Sequence, residues 1–326
     1  MARVSRRHFL ATSAGALLAV GAPRIGHGQT AIKVGTAVLA DYALAGPFIV
    51  AVEKGFFRTE GLAAEFVPFR GGPDLVKAVI AGDVLLGAAG STDIFVAREA
   101  GQPLKMVATH TEGNHFTLNV APEIQAPIEL KGKTISIGGP KDITRIYLER
   151  MAAPNGLKAG DYDTVFAGAT SARFSALQSG AVDAAILLPP FNFYAESAGF
   201  TNLGLTIDYA KELPFTGTVV GRALASARKA VLDKVLLVNS KSMAWFSDPA
   251  NRTEAIKIMV EASRLKEEDV AKSYDFLHEN QFFEKTGMVS KTKMDALLNA
   301  LKSLGDIEGP TNIERFILPG VSQLTD

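Results

Sequence analysis

Across 326 residues, 34 Lys and Arg balance 34 Asp and Glu, 47% of the chain is hydrophobic, and cysteine is absent. That length holds two domains or one large one, and the apolar content excludes wholesale disorder. Zero net charge without a block of like charges argues against a nucleic-acid binder, and the lack of Cys excludes disulfides, thiolate metal sites and a cysteine nucleophile.

In chain order, residues 1–28 come first. Arg3, Arg6, Arg7 and Arg24 lie there without an acidic residue, and Leu10–Val20 is apolar or small throughout. Gly26-His27-Gly28 supplies small residues for cleavage. A charged front, a short apolar middle and a small-residue end are expected of an export signal, and Ser5-Arg6-Arg7-His8-Phe9-Leu10 resembles the twin-arginine type. The apolar run is shorter than the roughly 20 residues a membrane anchor needs. Removing four of the 34 basic residues leaves 30 against 34 acidic, a mildly acidic chain suited to the periplasm.

Strands and helices then alternate. A strand is expected over Ile32–Thr36, a loop over Ala40–Pro47, and a helix over Phe48–Lys54 that Gly55 stops. A strand over Ala64–Phe69 leads through Gly71-Gly72-Pro73 to a helix over Asp74–Ala81. A strand over Val84–Ala89, a helix over Asp93–Ala100 and a strand over Leu104–Thr109 follow. The pattern restarts with strands over Lys133–Ile137, Thr164–Ala167 and Val182–Leu188, and helices over Asp142–Met151 and Ser171–Ser179. Such alternation builds parallel βαβ units. From Lys229 to Leu304 the chain reads as helical, broken at Pro249 and Gly287. Phe116–Val120 and Leu213–Val220 are expected to cross between two lobes: residues 29–115 with 221–326, and residues 116–220.

In open α/β sheets ligands sit beyond the carboxyl ends of the strands, where glycine allows close approach and helix N-termini offer unpaired N–H groups. Four junctions fit: Gly71–Pro73, Gly90–Thr92, Gly138–Asp142 and Gly168–Ser171. The binding candidates there are Gly71, Gly72, Ser91, Thr92, Gly139, Asp142 and Ser171, although the same residues also serve as ordinary caps and turns. Asp41 and Tyr42 follow the first strand, and Tyr42 offers a ring and a hydroxyl. Arg145 is placed to clamp an acid group or to pair with Glu149 one turn on; Arg70 and Arg173 lie near junctions as well. Pro190 and Phe191 follow a strand and either aim an aromatic into the cleft or pack a helix. His110 and His115 lack a recognisable metal-ligand spacing.

Ala51-Val52-Glu53-Lys54-Gly55-Phe56-Phe57, Glu60-Gly61-Leu62, Gly71-Gly72, Ala81-Gly82-Asp83, Ala88-Ala89-Gly90-Ser91, Leu130–Ile135 and Ala176–Ala184 lie in a fixed order. That ordered set resembles the substrate-binding proteins of ABC importers, in the group that binds nitrate, sulfonates and thiamine-precursor pyrimidines. The resemblance implies an α/β, two-lobed periplasmic-binding-protein fold of type II with two crossing hinge strands. It also implies a monomer that needs no cofactor, binds a small molecule in the cleft and delivers it to an ABC permease. Enzymes of thiamine and menaquinone biosynthesis look similar. Those pathways are intracellular, and the cysteine-rich motif of the thiamine pyrimidine synthases is absent here. The helix ends favour a sulfonate or carboxylate. Two unpaired aspartates among Asp41, Asp93 and Asp142 in the cleft would favour a neutral or cationic heterocycle instead.

Overall fold

The computed structural model describes residues 29–37, 42–111, 113–221 and 229–325, with only the backbone of 42–44. The arginine-rich segment 1–28 and Asp41 lie outside the described residues, as does the side chain of Tyr42.

Two five-stranded sheets carry the fold. In the first, β1 (Thr30–Thr36) lies between β2 (Leu62–Pro68) and β3 (Leu86–Gly90), all parallel. β4 (Leu104–Thr109) forms the far edge. In the second, β6 (Thr134–Ile137) lies between β7 (Asp163–Phe166) and β8 (Ala184–Leu187), again parallel. Each sheet takes in one antiparallel strand. β5 (Thr117–Val120) runs between β8 and β9 (Thr201–Leu205), and β10 (Thr216–Gly221) between β3 and β4. These are the two expected crossing segments. The chain has rejoined the first sheet by Thr216, before the expected boundary at residue 220.

Between the sheets the two crossings are laced together. The Asn114 side-chain amide donates to the carbonyls of Ala210 (2.6 Å) and Leu213 (3.0 Å), and Thr206 donates to its oxygen at 2.7 Å. Thr111 and Thr216 share a hydroxyl contact at 3.1 Å, and the Thr216 N–H donates to the Thr111 hydroxyl at 3.0 Å. Each buried polar group therefore has a partner that travels with the other crossing.

Helix α1 (Tyr42–Glu53) begins where a loop was expected and runs through Pro47. Proline forfeits one helical hydrogen bond, but the fully buried Phe48, Val50 and Ala51 outweigh that loss. The Pro47 carbonyl accepts from the Ser242 hydroxyl, tying α1 to a C-terminal helix. After the short α2 (Phe56–Thr59), α3 (Gly72–Ala81) packs on the sheet through Leu75. Leu75 needs the glycine pair Gly35 and Gly87, which face each other in register between β1 and β3. A Cβ would meet Leu75 at 2.4 Å on Gly35 and at 2.7 Å on Gly87. The expected stop at Gly82 sits in the left-handed region, with φ 81°.

Helices α4 (Ser91–Glu99), α5 (Ile143–Ala152), α6 (Thr170–Gln178), α7 (Phe191–Ser197) and the short α8 (Ile207–Ala210) complete the alternating part. The C-terminal helices α9 (Lys229–Ser247), α10 (Arg252–Ser263), α11 (Glu267–Glu279) and α12 (Lys291–Ser303) break at Pro249 and Gly287 as expected. They also break at Arg264, whose φ of 61° has no glycine to announce it. α9 and α10 pack on α1, and Lys54 pairs with Glu254 at 2.6 Å. One hydrophobic core runs from the first sheet through Phe116, Tyr147 and Phe215 into the second. No described helix is long and apolar enough to cross a membrane.

Candidate functional site

The four strand-to-helix junctions converge. Gly71 and Gly72 at the start of α3, Gly90 before α4, Gly138, Gly139 and Asp142 before α5, and Gly168 to Thr170 at the start of α6 all line one cavity of about 690 Å³ between the lobes. Its polar groups come from the helix starts, Lys77 and Gln102, and its apolar wall from Val76, Ile80 and Val96. Phe116 and Phe215, one from each crossing, also line it, edge to face with centroids 4.8 Å apart. A ligand there touches both lobes and both crossings at once.

Asp93 dominates the first-lobe wall. Its carboxylate lies over Gly72, where a Cβ would stand 1.7 Å from Oδ2; a Cβ on Gly90 would stand 2.9 Å from the same atom. Gly72 is thus required by the neighbouring carboxylate, not by its own backbone angles. Burial pushes the Asp93 carboxyl up to about 8; the negative charge of Asp142 across the cleft adds to this, and the Gly90 N–H works against it. Asp142 is the N-cap of α5. It accepts from the Thr144 N–H at 2.9 Å and from the Thr144 hydroxyl, whose oxygen accepts from the Gly138 N–H at 2.8 Å.

Cations line the cavity as well, on both lobes. Arg173, buried in α6, donates through Nε to the Ile186 carbonyl (2.7 Å), through Nη1 to the Gly168 carbonyl, and through Nη2 to the Thr170 hydroxyl (2.9 Å). The N-cap of α6 is Ala169, whose methyl side chain makes no capping hydrogen bond. Lys77 and Lys141 stand in the lining, with Lys77 3.7 Å from Asp74 and Lys141 3.9 Å from Asp306.

Of the residues singled out from the sequence, Gly71, Gly72, Gly139 and Asp142 line the cavity. Ser91 and Thr92 do not. They are fully buried behind its wall, and the Ser91 N–H donates to the Phe215 carbonyl at 2.9 Å. Arg145 points elsewhere too: it pairs with Asp306 on the other lobe and reaches Glu149 at 3.6 Å. Ser171 lies outside the lining, where Thr170 stands instead. Pro190 is the N-cap of α7, and Phe191 packs against Phe174 and Tyr194 with centroids 6.0 and 5.8 Å away. Arg145 and Phe191 thus have nearer partners than the cleft.

The strongest polar features, Asp93 and Arg173, drew little weight from the sequence. The nearby signal was a pair of glycines, Gly72 and Gly90, that make room for one carboxylate. Phe116 and Phe215 carried no local signal, since 99 positions separate them and only the crossings bring them together.

The two histidines are taken up in packing. His110 bonds the Thr218 hydroxyl and packs on Phe48 at 4.9 Å, and burial pulls it down to about 3. His115 packs on Phe276 and Phe282; burial pulls it down to about 4, opposed by Asp208.

The profile described as "NMT1/THI5 like" matches residues 44–247. The chain belongs to the NMT1/THI5-like family. No curated protein sequence matches it. Among solved structures, the alkanesulfonate-binding protein of Xanthomonas axonopodis pv. citri bound to MOPS superposes with a TM-score of 0.74 at 18% identity, over 92% of this chain and 100% of that one. The periplasmic aliphatic sulphonate binding protein of Escherichia coli gives 0.73 at 19% identity over 91% and 94%. The periplasmic nitrate-binding protein of Synechocystis PCC 6803 gives 0.71 at 15% over 88% and 84%. These likenesses establish the two-lobed periplasmic-binding-protein fold. A desulfurization enzyme shares it more distantly, with a TM-score of 0.63 at 12% identity over 90% and 97%.

Proposed function

We propose that the protein works outside the cytoplasm, captures a small organic solute in the interlobe cavity and passes it unaltered to an ABC permease. The observation that carries this reading is the position of the cavity: it lies at the carboxyl ends of parallel strands from both lobes, and both crossings line it. Closing two lobes around such a site buries the ligand and gives the permease a shape to distinguish from the empty form. The arginine-rich start of the chain supports export to the periplasm.

The solute we favour carries an acidic group, a sulfonate or carboxylate. The N-terminus of α6 and the buried Arg173 charge support this, since both favour an anion nearby. The desulfurization enzyme shows that the fold admits catalysis. Against catalysis here, Asp142 is occupied as a cap, and the Thr144 hydroxyl is held by Asp142 and the Gly138 N–H.

Thermal-shift screening with sulfonates, carboxylates, nitrate, pyrimidines and amino acids tests the reading. A ligand at a hundred times its Kd stabilises by about 2.7 kcal/mol. Recovery of the bound compound unchanged is expected; conversion into product would overturn the receptor assignment.

A further inference from the structure

We infer that Asp93 is the specificity-determining residue of the cleft and that it selects a nitrogen: the solute presents a protonated amine or an N–H to Asp93 and its acidic group to the α6 end beside Arg173. This deepens the receptor reading and rests on it. The chemistry of the walls carries the inference. A helix start attracts an anion only while its own N–H groups are open to it. Asp142 already caps α5, and Asp93 lies at the start of α4 with the Gly90 N–H working on its carboxylate. Asp74 stands in the first turn of α3, where Pro73 has no N–H to give. Of the four helices whose starts line the cavity, α6 alone begins without an acidic side chain, and Arg173 stands beside it.

The Asp93 carboxyl is also a built feature. It occupies the space that a Cβ on Gly72 would fill, and no cation pairs with it among the described residues. A half-buried acid facing a second acid, Asp142, is satisfied by a ligand that brings a donor. Val76, Ile80, Val96, Phe116 and Phe215 between these poles suit a short carbon body. The ligand class is therefore a small bifunctional molecule with a nitrogen donor at one end and an acid at the other.

The test uses matched pairs: 3-aminopropanesulfonate against propanesulfonate, and 4-aminobutyrate against butyrate. Calorimetry on the wild-type chain is expected to give at least tenfold tighter binding of the amino member in one or both pairs. In Asp93→Asn the two members should bind within about twofold of each other, and Asp93→Ala should repeat that loss should the first variant fold poorly. The readout is the ratio within a pair, which a purely structural role for Asp93 would leave intact. Equal or tighter binding of the nitrogen-free acid to the wild type overturns the inference and leaves the anion receptor standing. A preserved ratio in both variants overturns it too. If no compound of the pairs or of the screening panel binds the wild type, both readings fall.

Discussion

Gly72→Ala isolates the most unusual contact in the cleft. Its Cβ would sit 1.7 Å from Oδ2 and 2.6 Å from Cγ of Asp93, but at an ordinary 3.4 Å from the Asp93 Cβ. The substitution therefore leaves the Asp93 backbone where it is and forces rotation of the carboxyl group, whose oxygen must retreat by roughly 1.7 Å to reach that same 3.4 Å. Gly72 itself has no positive φ, so alanine brings no backbone strain of its own. A forced rotamer costs of the order of 0.5–1.5 kcal/mol, and distorted packing at a filled site can raise this toward 3. We expect about 1 kcal/mol of lost stability, read as a lower urea midpoint with unchanged slope. The double variant with Asp93→Ala decides the cause. With the carboxylate gone the alanine meets only the Cβ at position 93, at an ordinary 3.4 Å, so the double variant should match Asp93→Ala alone, giving a coupling of about 1 kcal/mol. Gly139→Ala is the control, since its Cβ would meet only the Asp142 Cβ, at 3.6 Å. If Gly72→Ala costs as much without Asp93 as with it, the carboxylate does not occupy that space and the account of the cleft is wrong.

Other predictions follow from single features. The Asp93 carboxyl is raised to about 8 against an ordinary 3.8, so its contribution is complete below about pH 4 and is lost as pH rises through 8. Asp93→Asn should therefore stabilise the ligand-free chain by roughly 1–3 kcal/mol at pH 8 and hardly at all at pH 4, measured by urea unfolding across pH. His110 goes the other way: held near 3 against an ordinary 6.5, it supports the fold fully above pH 6.5 and less as pH falls toward 3. His110→Gln should flatten that acid-side loss. Asp306→Ala removes the partner that Arg145 meets across the lobes and that Lys141 approaches. We expect several-fold weaker ligand binding and a larger radius of gyration by solution scattering; unchanged values of both would show that the pair does not hold the lobes together. Arg173→Ala strips partners from the Ile186 and Gly168 carbonyls and the Thr170 hydroxyl, and should cost about 3 kcal/mol of stability.

Local chemistry along the chain determined the alternation of strands and helices, the glycine stops, the two crossing strands and the four junctions that meet in the cleft. Each rests on a short-range rule: hydrophobic period, a left-handed glycine, or a small residue where a helix must start. Where a residue would spend its charge was decided only by tertiary structure. Arg145 looked like an anion clamp from its place in α5, yet it found Asp306, 161 positions away in the chain. Asp93 looked like one helix-start acid among several, until folding set it over Gly72 and opposite Asp142 in the interlobe cavity. Pro47 read as a loop because its missing N–H is a local cost, and the buried face of α1 is a gain that only packing supplies. Backbone preferences act over a few residues and are written in order along the chain. Desolvation and pairing act between residues the fold has yet to bring together, so only the assembled molecule fixes them.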